Sequence, residues 1–207
     1  MTHYLRSQHD AILVGVSTAE AVNPRLNCRY RAESISGEGL ETQPRPIVLD
    51  PGRRWKKEWT TRCMELAEKG EGRALWLIES GSQGNEEDES ANEVRKAGGD
   101  VIYCGEYTGK ENGIDWETML RNLAATGVRS VMVEGGAIVI NDLLRQRNQK
   151  FVSSVIVTIA PTYLGAGGVL VHPQRTSPEK NEARLENVAW VPTGEDIVML
   201  GTLMKSK

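Results

Sequence analysis

Short aliphatic runs bounded by turn residues recur along the chain. Six of them predict β-strands, at residues 10–16, 46–50, 74–78, 100–104, 130–134 and 152–160. None alternates between apolar and polar positions. This pattern is typical of strands that are covered on both faces, as in a parallel sheet.

Segments with apolar residues at helical spacing lie between several of these strands. They predict helices over residues 55–67, 115–125 and 138–146. Strands that alternate with helices predict parallel pairing through right-handed crossovers. The end of the chain differs, because residues 185–192 and 196–204 are extended runs separated by Thr193-Gly194-Glu195, which predicts an antiparallel hairpin at a sheet edge.

The predicted fold is a three-layer α/β fold with a mixed, mostly parallel sheet and a C-terminal antiparallel hairpin. Polar stretches at residues 31–44, 81–90 and 172–184 are expected to be surface loops. No repeat or linker divides the sequence, so we expect a single domain over residues 1–207.

Composition narrows the possible partners. With 25 basic and 28 acidic residues the net charge is −3, which predicts no binding to nucleic acid or to an anionic membrane surface. No apolar run approaches the ~20 residues of a membrane span, and the N-terminus has no signal-peptide pattern. Three cysteines without a CxxC spacing predict reduced thiols and no metal site, so we expect a cytoplasmic protein.

Two predicted strands end in loops that could hold a ligand, since parallel sheets bind ligands beyond the carboxyl ends of their strands. One loop spans residues 15–29. In the other, Glu134 is followed by Gly135 and Gly136 and then by a predicted helix. Glycines at such a turn let phosphate groups approach backbone N–H groups. The spacing alone also fits a plain strand-to-helix turn.

Five motifs together resemble one family. They are, in order, AILVG (11–15), NPRLNCR (23–29), RPIVLD (45–50), VMVEGGA (131–137) and PTYLGAGG (161–168). The set resembles the fungal and archaeal riboflavin-biosynthesis reductases, which act with NADPH on a ribosylaminopyrimidinone 5′-phosphate, and the related C-terminal reductase domain of the bifunctional bacterial enzyme. The resemblance extends to about residue 204. It implies a dihydrofolate-reductase-like fold, a homodimer and a phosphorylated small-molecule substrate.

The resemblance also implies roles for particular residues. The cofactor-binding residues are Thr18, Gly135, Gly136, Ala137, Ile138, Val139, Ile140, Asn141 and Asp142. The substrate-binding residues are Arg6, Leu26, Arg29 and Glu134. Arginines suit a sugar phosphate, and a carboxylate suits the amino groups of the pyrimidine.

The implied reaction is hydride transfer from C4 of NADPH to C1′ of the open-chain imine, which converts ribosylamino to ribitylamino. The residues that would donate a proton are not identified, since His3, His9 and His172 are each isolated in the sequence. Basic residues just beyond the predicted strand at 46–50, namely Arg53, Arg54 and Lys56, are candidates for binding the 2′-phosphate of NADPH.

The sequence departs from the family at two points, and these departures leave alternative functions open. Val22 stands where family members commonly carry an aspartate that contacts NADP. Family members also have a further N-terminal segment with a first strand, so a shortened domain is expected here. The alternatives are a reductase of another imine or carbonyl substrate, and an inactive relative that serves as a binding or interaction protein.

Overall fold

The computed structural model describes residues 1–30, 40–81, 89–105, 114–163, 165–173, 175, 177–179 and 181–204. The chain forms two compact units, Met1–Gly136 and Ala137–Lys207. The single domain expected over residues 1–207 stays a prediction.

The first unit is built on a five-stranded parallel sheet. Its strands are β1 (Ala11–Gly15), β2 (Arg45–Leu49), β3 (Trp76–Glu79), β4 (Asp100–Tyr103) and β5 (Val131–Gly135), in the spatial order β4-β3-β2-β1-β5. Its helices are α1 (Thr2–Ser7), α2 (Val16–Val22), α3 (Thr61–Glu68), α4 (Glu89–Lys96) and α5 (Trp116–Ala125). Short 3₁₀ turns lie at Leu40–Thr42 and Lys57–Trp59.

The inner strand β1, between β2 and β5, is buried along its whole length, as its unbroken apolar run predicts. Ile12 and Val14 on β1 pack in one core cluster with Val48 on β2 and Leu77 on β3. The predicted mostly parallel α/β sheet is confirmed.

Three helices of this unit were not predicted, namely α1, α2 and α4. They are only six to eight residues long, so each offers at most two turns of periodic pattern. The predicted helix at 55–67 was wrong in its first half, because α3 begins only at Thr61. Before it, the backbone N–H groups of Arg54 and Trp55 donate to the carboxylate of Asp50, which holds the chain in a turn.

The second unit holds α6 (Ala137–Leu143), a 3₁₀ turn at Gln149–Phe151, and the strands β6 (Val155–Ile159), β7 (Leu185–Thr193) and β8 (Asp196–Leu203). The three strands form an antiparallel sheet in the order β6-β8-β7. The predicted terminal hairpin is therefore confirmed as β7 and β8.

The expectation that the strand at 152–160 is covered on both faces was wrong. Ile156 and Ile159 on β6 are 41% and 43% exposed. An apolar run shows that a strand favours burial, but it does not show what buries it. Among the described helices of the whole chain, none is long and apolar enough to cross a membrane.

Candidate active site

The strand order places a topological switch point between β1 and β5. From β1 the sheet extends through β2 and β3 to β4 on one side, and the chain then returns to pair β5 with the other side of β1. Open α/β sheets bind ligands in the crevice beyond the carboxyl ends of the strands at such a point. Gly15 ends β1 here and Gly135 ends β5.

A β-bulge sets the position of Glu134 at this point. Leu13 pairs with Val133, and Val14 pairs with Gly135, so Glu134 is the additional residue on β5. A bulge redirects a side chain, and bulges are common beside active sites. The bulge explains how a carboxylate at the end of an aliphatic strand is only partly buried, with its side chain 17% exposed.

Glu134 is paired with Arg6 from α1. Arg6 Nε donates to Oε1 at 2.7 Å and Nη2 donates to Oε2 at 2.6 Å. Arg6 Nη1 donates to the carbonyl of Asn27 at 2.8 Å. The sequence predicts both residues as substrate contacts, and the structure brings them together in a two-pronged ion pair. Each carboxylate oxygen keeps a second lone pair with which it can accept another hydrogen bond.

Arg29 is exposed and lies against His3. Its backbone N–H approaches His3 Nδ1 at 3.1 Å, and its Nε approaches His3 Nε2 at 3.0 Å. A neutral imidazole has one acceptor nitrogen, so only one of these two bonds forms at a time. Burial lowers the pKa of His3, and the charges of Arg6 and Arg29 lower it further, so the neutral ring is favoured here.

Leu26, the fourth predicted substrate contact, has its side chain in the core. It is 2% exposed and adopts a left-handed backbone conformation with φ of 50°. Its side chain belongs to the core cluster of the first unit. Contact with a substrate would therefore involve its backbone, and it stays a prediction.

Thr18 and Gly136, two predicted cofactor residues far apart in sequence, lie next to each other. A Cβ atom added to Gly136 would lie 2.6 Å from Thr18 Oγ1. Gly135 has a φ of +134°, a conformation that favours glycine, and its peptide bond to Gly136 is cis. The structure thus gathers Thr18, Glu134 and the two glycines at the ends of β1 and β5.

The remaining predicted cofactor residues, 137–142, lie on α6 in the second unit. There the buried Asp142 accepts a hydrogen bond from Asn148 Nδ2 at 3.2 Å and lies 3.4 Å from Arg145 Nη1. Asn141 Nδ2 donates to the carbonyl of Leu170 at 3.3 Å. Both polar side chains stabilise their own unit, and the cofactor contacts of 137–142 stay a prediction.

Arg53 and Arg54, which follow β2, differ in their contacts with neighbouring protein groups. Arg53 Nη2 donates to the carbonyl of Ser80 at 2.9 Å, and its Nε lies 3.7 Å from the carboxylate of Glu79. The side chain of Arg54 is 54% exposed, its Nε lies 3.9 Å from the carboxylate of Asp50, and its Nη2 lies 3.3 Å from Ser17 Oγ at the start of α2. The position beside α2 makes Arg54 the better placed of the two for a ligand at the switch point.

Asp50, at the carboxyl end of β2, is not among the predicted site residues. Its side chain is fully buried. Burial raises the pKa of Asp50, and hydrogen bonds from the backbone of Trp55 and Arg54 act in the opposite direction. A carboxylate directly after a buried strand, as in the RPIVLD motif, is the signal that could have identified it.

The order of the parallel sheet and the three-stranded antiparallel sheet match the fold of solved RibD and RibD-like structures. A RibD structure from Acinetobacter baumannii has a TM-score of 0.71 and 19% identity, and the match covers 98% of this chain and 49% of that chain. A pyrimidine reductase-like protein from Corynebacterium diphtheriae has a TM-score of 0.67 and 18% identity, covering 99% of this chain and 80% of that one.

The family model described as RibD C-terminal domain matches residues 1–199, so the chain belongs to that family. The 2,5-diamino-6-ribosylamino-4(3H)-pyrimidinone 5′-phosphate reductase of Debaryomyces hansenii is 35% identical over 98% of this chain and 76% of its own length. The same reductase of Kluyveromyces marxianus is 36% identical, over 99% of this chain and 75% of its own length. The chain therefore spans about three quarters of these relatives.

A solved structure of the Saccharomyces cerevisiae riboflavin biosynthesis reductase Rib7 is also similar. It has a TM-score of 0.75 and 32% identity, and the match covers 99% of this chain and 79% of that chain. The resemblance noted from the five sequence motifs is confirmed, as is the dihydrofolate-reductase-like fold that it implies.

Proposed function

We propose that the chain is an NADPH-dependent reductase that converts the ribosylamino group of 2,5-diamino-6-ribosylamino-4(3H)-pyrimidinone 5′-phosphate to ribitylamino. Membership of the RibD C-terminal domain family and the names of relatives above 30% identity support an oxidoreductase of riboflavin biosynthesis. The observation that carries the proposal is the contact of Thr18 with Gly136 beside the Arg6–Glu134 ion pair, at the switch point of the sheet.

The residues at the switch point fit a dinucleotide cofactor. Gly136 lets the hydroxyl of Thr18 approach the turn closely, because a Cβ atom at this position would lie only 2.6 Å from Thr18 Oγ1. Thr18 would hold the cofactor through its hydroxyl, and Gly135 and Gly136 would let its diphosphate approach the backbone. NADPH, when bound, supplies the hydride.

The Arg6–Glu134 pair provides the proposed binding contacts for the pyrimidine of the substrate. Arg6 holds both oxygens of Glu134 in place, so the carboxylate is oriented before a ligand arrives. Its remaining lone pairs accept hydrogen bonds from the amino groups of the pyrimidine. The exposed guanidinium of Arg29 binds the 5′-phosphate.

Turnover measurements test this function. The purified chain should consume NADPH in the presence of the ribosylaminopyrimidinone phosphate, and mass spectrometry should find a product that has gained two hydrogens. If another imine or aldehyde is reduced and this compound is not, the substrate assignment is wrong. If NADPH binds but no substrate of the panel is reduced, the inactive relative is the better description.

Selectivity for NADPH over NADH is expected to depend on Arg54. Arg54→Gln should lower the ratio of NADPH to NADH affinity about tenfold, since one charge-assisted contact to the 2′-phosphate is lost. Arg53→Gln should change the ratio less, because Arg53 is engaged by Ser80 and Glu79. Calorimetric titration with both cofactors measures the ratio, and Arg121→Gln on the exposed face of α5 is the control. An unchanged ratio in Arg54→Gln would remove this assignment.

A homodimer and a cytoplasmic location are part of the same proposal. On the antiparallel sheet, Val157 of β6, Met199 of β8 and Trp190 of β7 are cross-strand neighbours. Trp190 is 55% exposed and Val157 is 37% exposed. An apolar sheet face of this kind favours association with a second copy. The location is supported by three buried free thiols, which reducing compartments preserve.

A further inference from the structure

Two arginines line two neighbouring cavities at the amino ends of β2 and β3, away from the switch point. Arg45 opens β2, and Arg73 precedes β3. The smaller cavity, of about 160 Å³, is also lined by Asp10, Trp76 and Thr126. The larger, of about 450 Å³, is also lined by Leu40, Glu68, Gly72 and Ala97. Because both arginines line both cavities, they stand where the two adjoin.

Arg45 is held in place with part of its hydrogen-bonding capacity unused. Its guanidinium lies 4.6 Å from the centroid of the Trp76 ring, and its Nη1 donates to the carbonyl of Ala74 at 2.8 Å. Its buried Nε has no hydrogen-bond partner among the described residues. A buried N–H without an acceptor is costly, and because this Nε is shielded from solvent, an oxyanion, the acceptor that a guanidinium matches best, reaches it only after the side chain shifts.

The smaller cavity carries a formal charge of +1, from two arginines and Asp10, while the two cavities together hold two arginines and two carboxylates. Burial lowers the pKa of Arg45, and the nearby charge of Arg73 lowers it further. Each cavity contains one carboxylate against the two arginines, Asp10 in the smaller and Glu68 in the larger. Asp10 is already engaged, because its Oδ2 accepts hydrogen bonds from the backbone of Arg129 and Ser130 at 2.8 and 2.9 Å.

We propose that Arg45 and Arg73 form a binding site for a phosphate group, either free or at the end of a small metabolite whose organic part enters the larger cavity. The strand β2 has five residues. Its two ends, four steps apart, are therefore separated by roughly 13 Å, which keeps this site apart from the proposed cofactor and substrate site.

A titration of the whole chain with inorganic phosphate, followed by nuclear magnetic resonance, tests the site without turnover. The Trp76 indole and the amides of Thr126 and Gly127 should shift and saturate. Arg73→Gln should weaken binding about tenfold through loss of a charge-assisted contact. Asp10→Asn should tighten binding, because it removes the one carboxylate of the smaller cavity. The exposed Arg121→Gln is the matched control and should leave the affinity unchanged.

A second titration with adenosine monophosphate separates the two sources of phosphate. Additional shifts at Ala97 and Gly98, which line the larger cavity, indicate a phosphorylated metabolite, and shifts confined to the smaller cavity indicate free phosphate. The proposal is overturned if Trp76 shows no saturable shift, or if Arg73→Gln binds phosphate as tightly as the unchanged chain. Shifts confined to the surroundings of Arg6 and Arg29 also overturn it, because they place phosphate in the substrate site.

Discussion

Gly136 and Thr18 lie so close that a methyl group cannot be added to the glycine without displacing the threonine hydroxyl, which is 2.6 Å from the added atom. Gly136→Ala should therefore weaken NADPH binding about a hundredfold or more, through the loss of two charge-assisted hydrogen bonds of roughly 1.5–3 kcal/mol each. Fluorescence titration with NADPH and thermal melting of the same variant measure affinity and stability separately.

Combining Gly136→Ala with Thr18→Ala separates a binding role from a structural one. Thr18 Cβ is 4.0 Å from the added atom, so the double variant should regain stability, while its NADPH affinity should stay well below that of Thr18→Ala alone. Gly168→Ala is the control, since a Cβ there meets nothing within 4 Å. A folded Gly136→Ala protein that binds NADPH normally would show that these glycines form only a turn.

Glu134→Gln tests the ion pair that orients the proposed substrate carboxylate. In the variant, residue 134 offers Arg6 one neutral amide oxygen in place of two carboxylate oxygens. The Arg6 side chain is only 13% exposed, so water replaces the lost partner poorly. We expect a loss of about 2–3 kcal/mol in the free energy of unfolding. We also expect kcat/KM to fall more than about tenfold per folded molecule, since substrate contact is lost.

Urea unfolding and steady-state kinetics check the two expectations separately. Arg121→Gln is again the control, because the Arg121–Glu117 pair on α5 is exposed and such pairs contribute little. NADPH affinity should stay the same in Glu134→Gln. If stability falls while kcat/KM per folded molecule is unchanged, Glu134 has a structural role alone.

Between elements, Asp10 connects the start of β1 to the start of β5. The backbone hydrogen bond from Arg129 holds the pKa of Asp10 below its ordinary value of 3.8, and the bonds from Ser130 act in the same direction. Because the folded-state pKa is lowered, the stabilisation is present above pH 3.8 and is lost as the pH falls through the folded-state pKa.

Asp10→Asn should therefore destabilise the fold at neutral pH and make stability less dependent on pH in the acid range. Urea unfolding between neutral pH and pH about 3 measures this dependence. Asp100→Asn is the matched control, because the Asp100 side chain is 61% exposed. An acid dependence as steep in Asp10→Asn as in the unchanged chain would contradict the assignment.

At the scale of the whole molecule, the exposed face of the antiparallel sheet should mediate dimer formation. Trp190→Glu places a charge among Val157 and Met199, its neighbours across the sheet. A buried unpaired charge is strongly unfavourable, so the variant should sediment as a monomer at micromolar concentration while the unchanged chain sediments as a dimer. Glu195→Gln in the hairpin turn is the control. If the wild-type chain sediments as a monomer, the proposed dimer is wrong.

The local pattern determined most of the parallel sheet. Runs such as residues 10–16 and 46–50 became β1 and β2 because an unbroken apolar strand is stable only when both faces are covered. Short helices escaped prediction, since α1 and α2 offer too few turns for a periodic pattern. The five motifs were sufficient to recognise the family, which the match over residues 1–199 confirms.

The tertiary structure decided what the candidate residues do to one another. Arg6 and Glu134 are predicted as two substrate contacts, and only the bulge in β5 and the position of α1 show that they form one ion pair. Thr18 and Gly136 come together only because β5 returns to pair with β1. The sequence by itself determined which segments are the strands of the parallel sheet and which family the chain belongs to. Contacts between residues distant in sequence depend on strand order and register, which a local pattern does not encode.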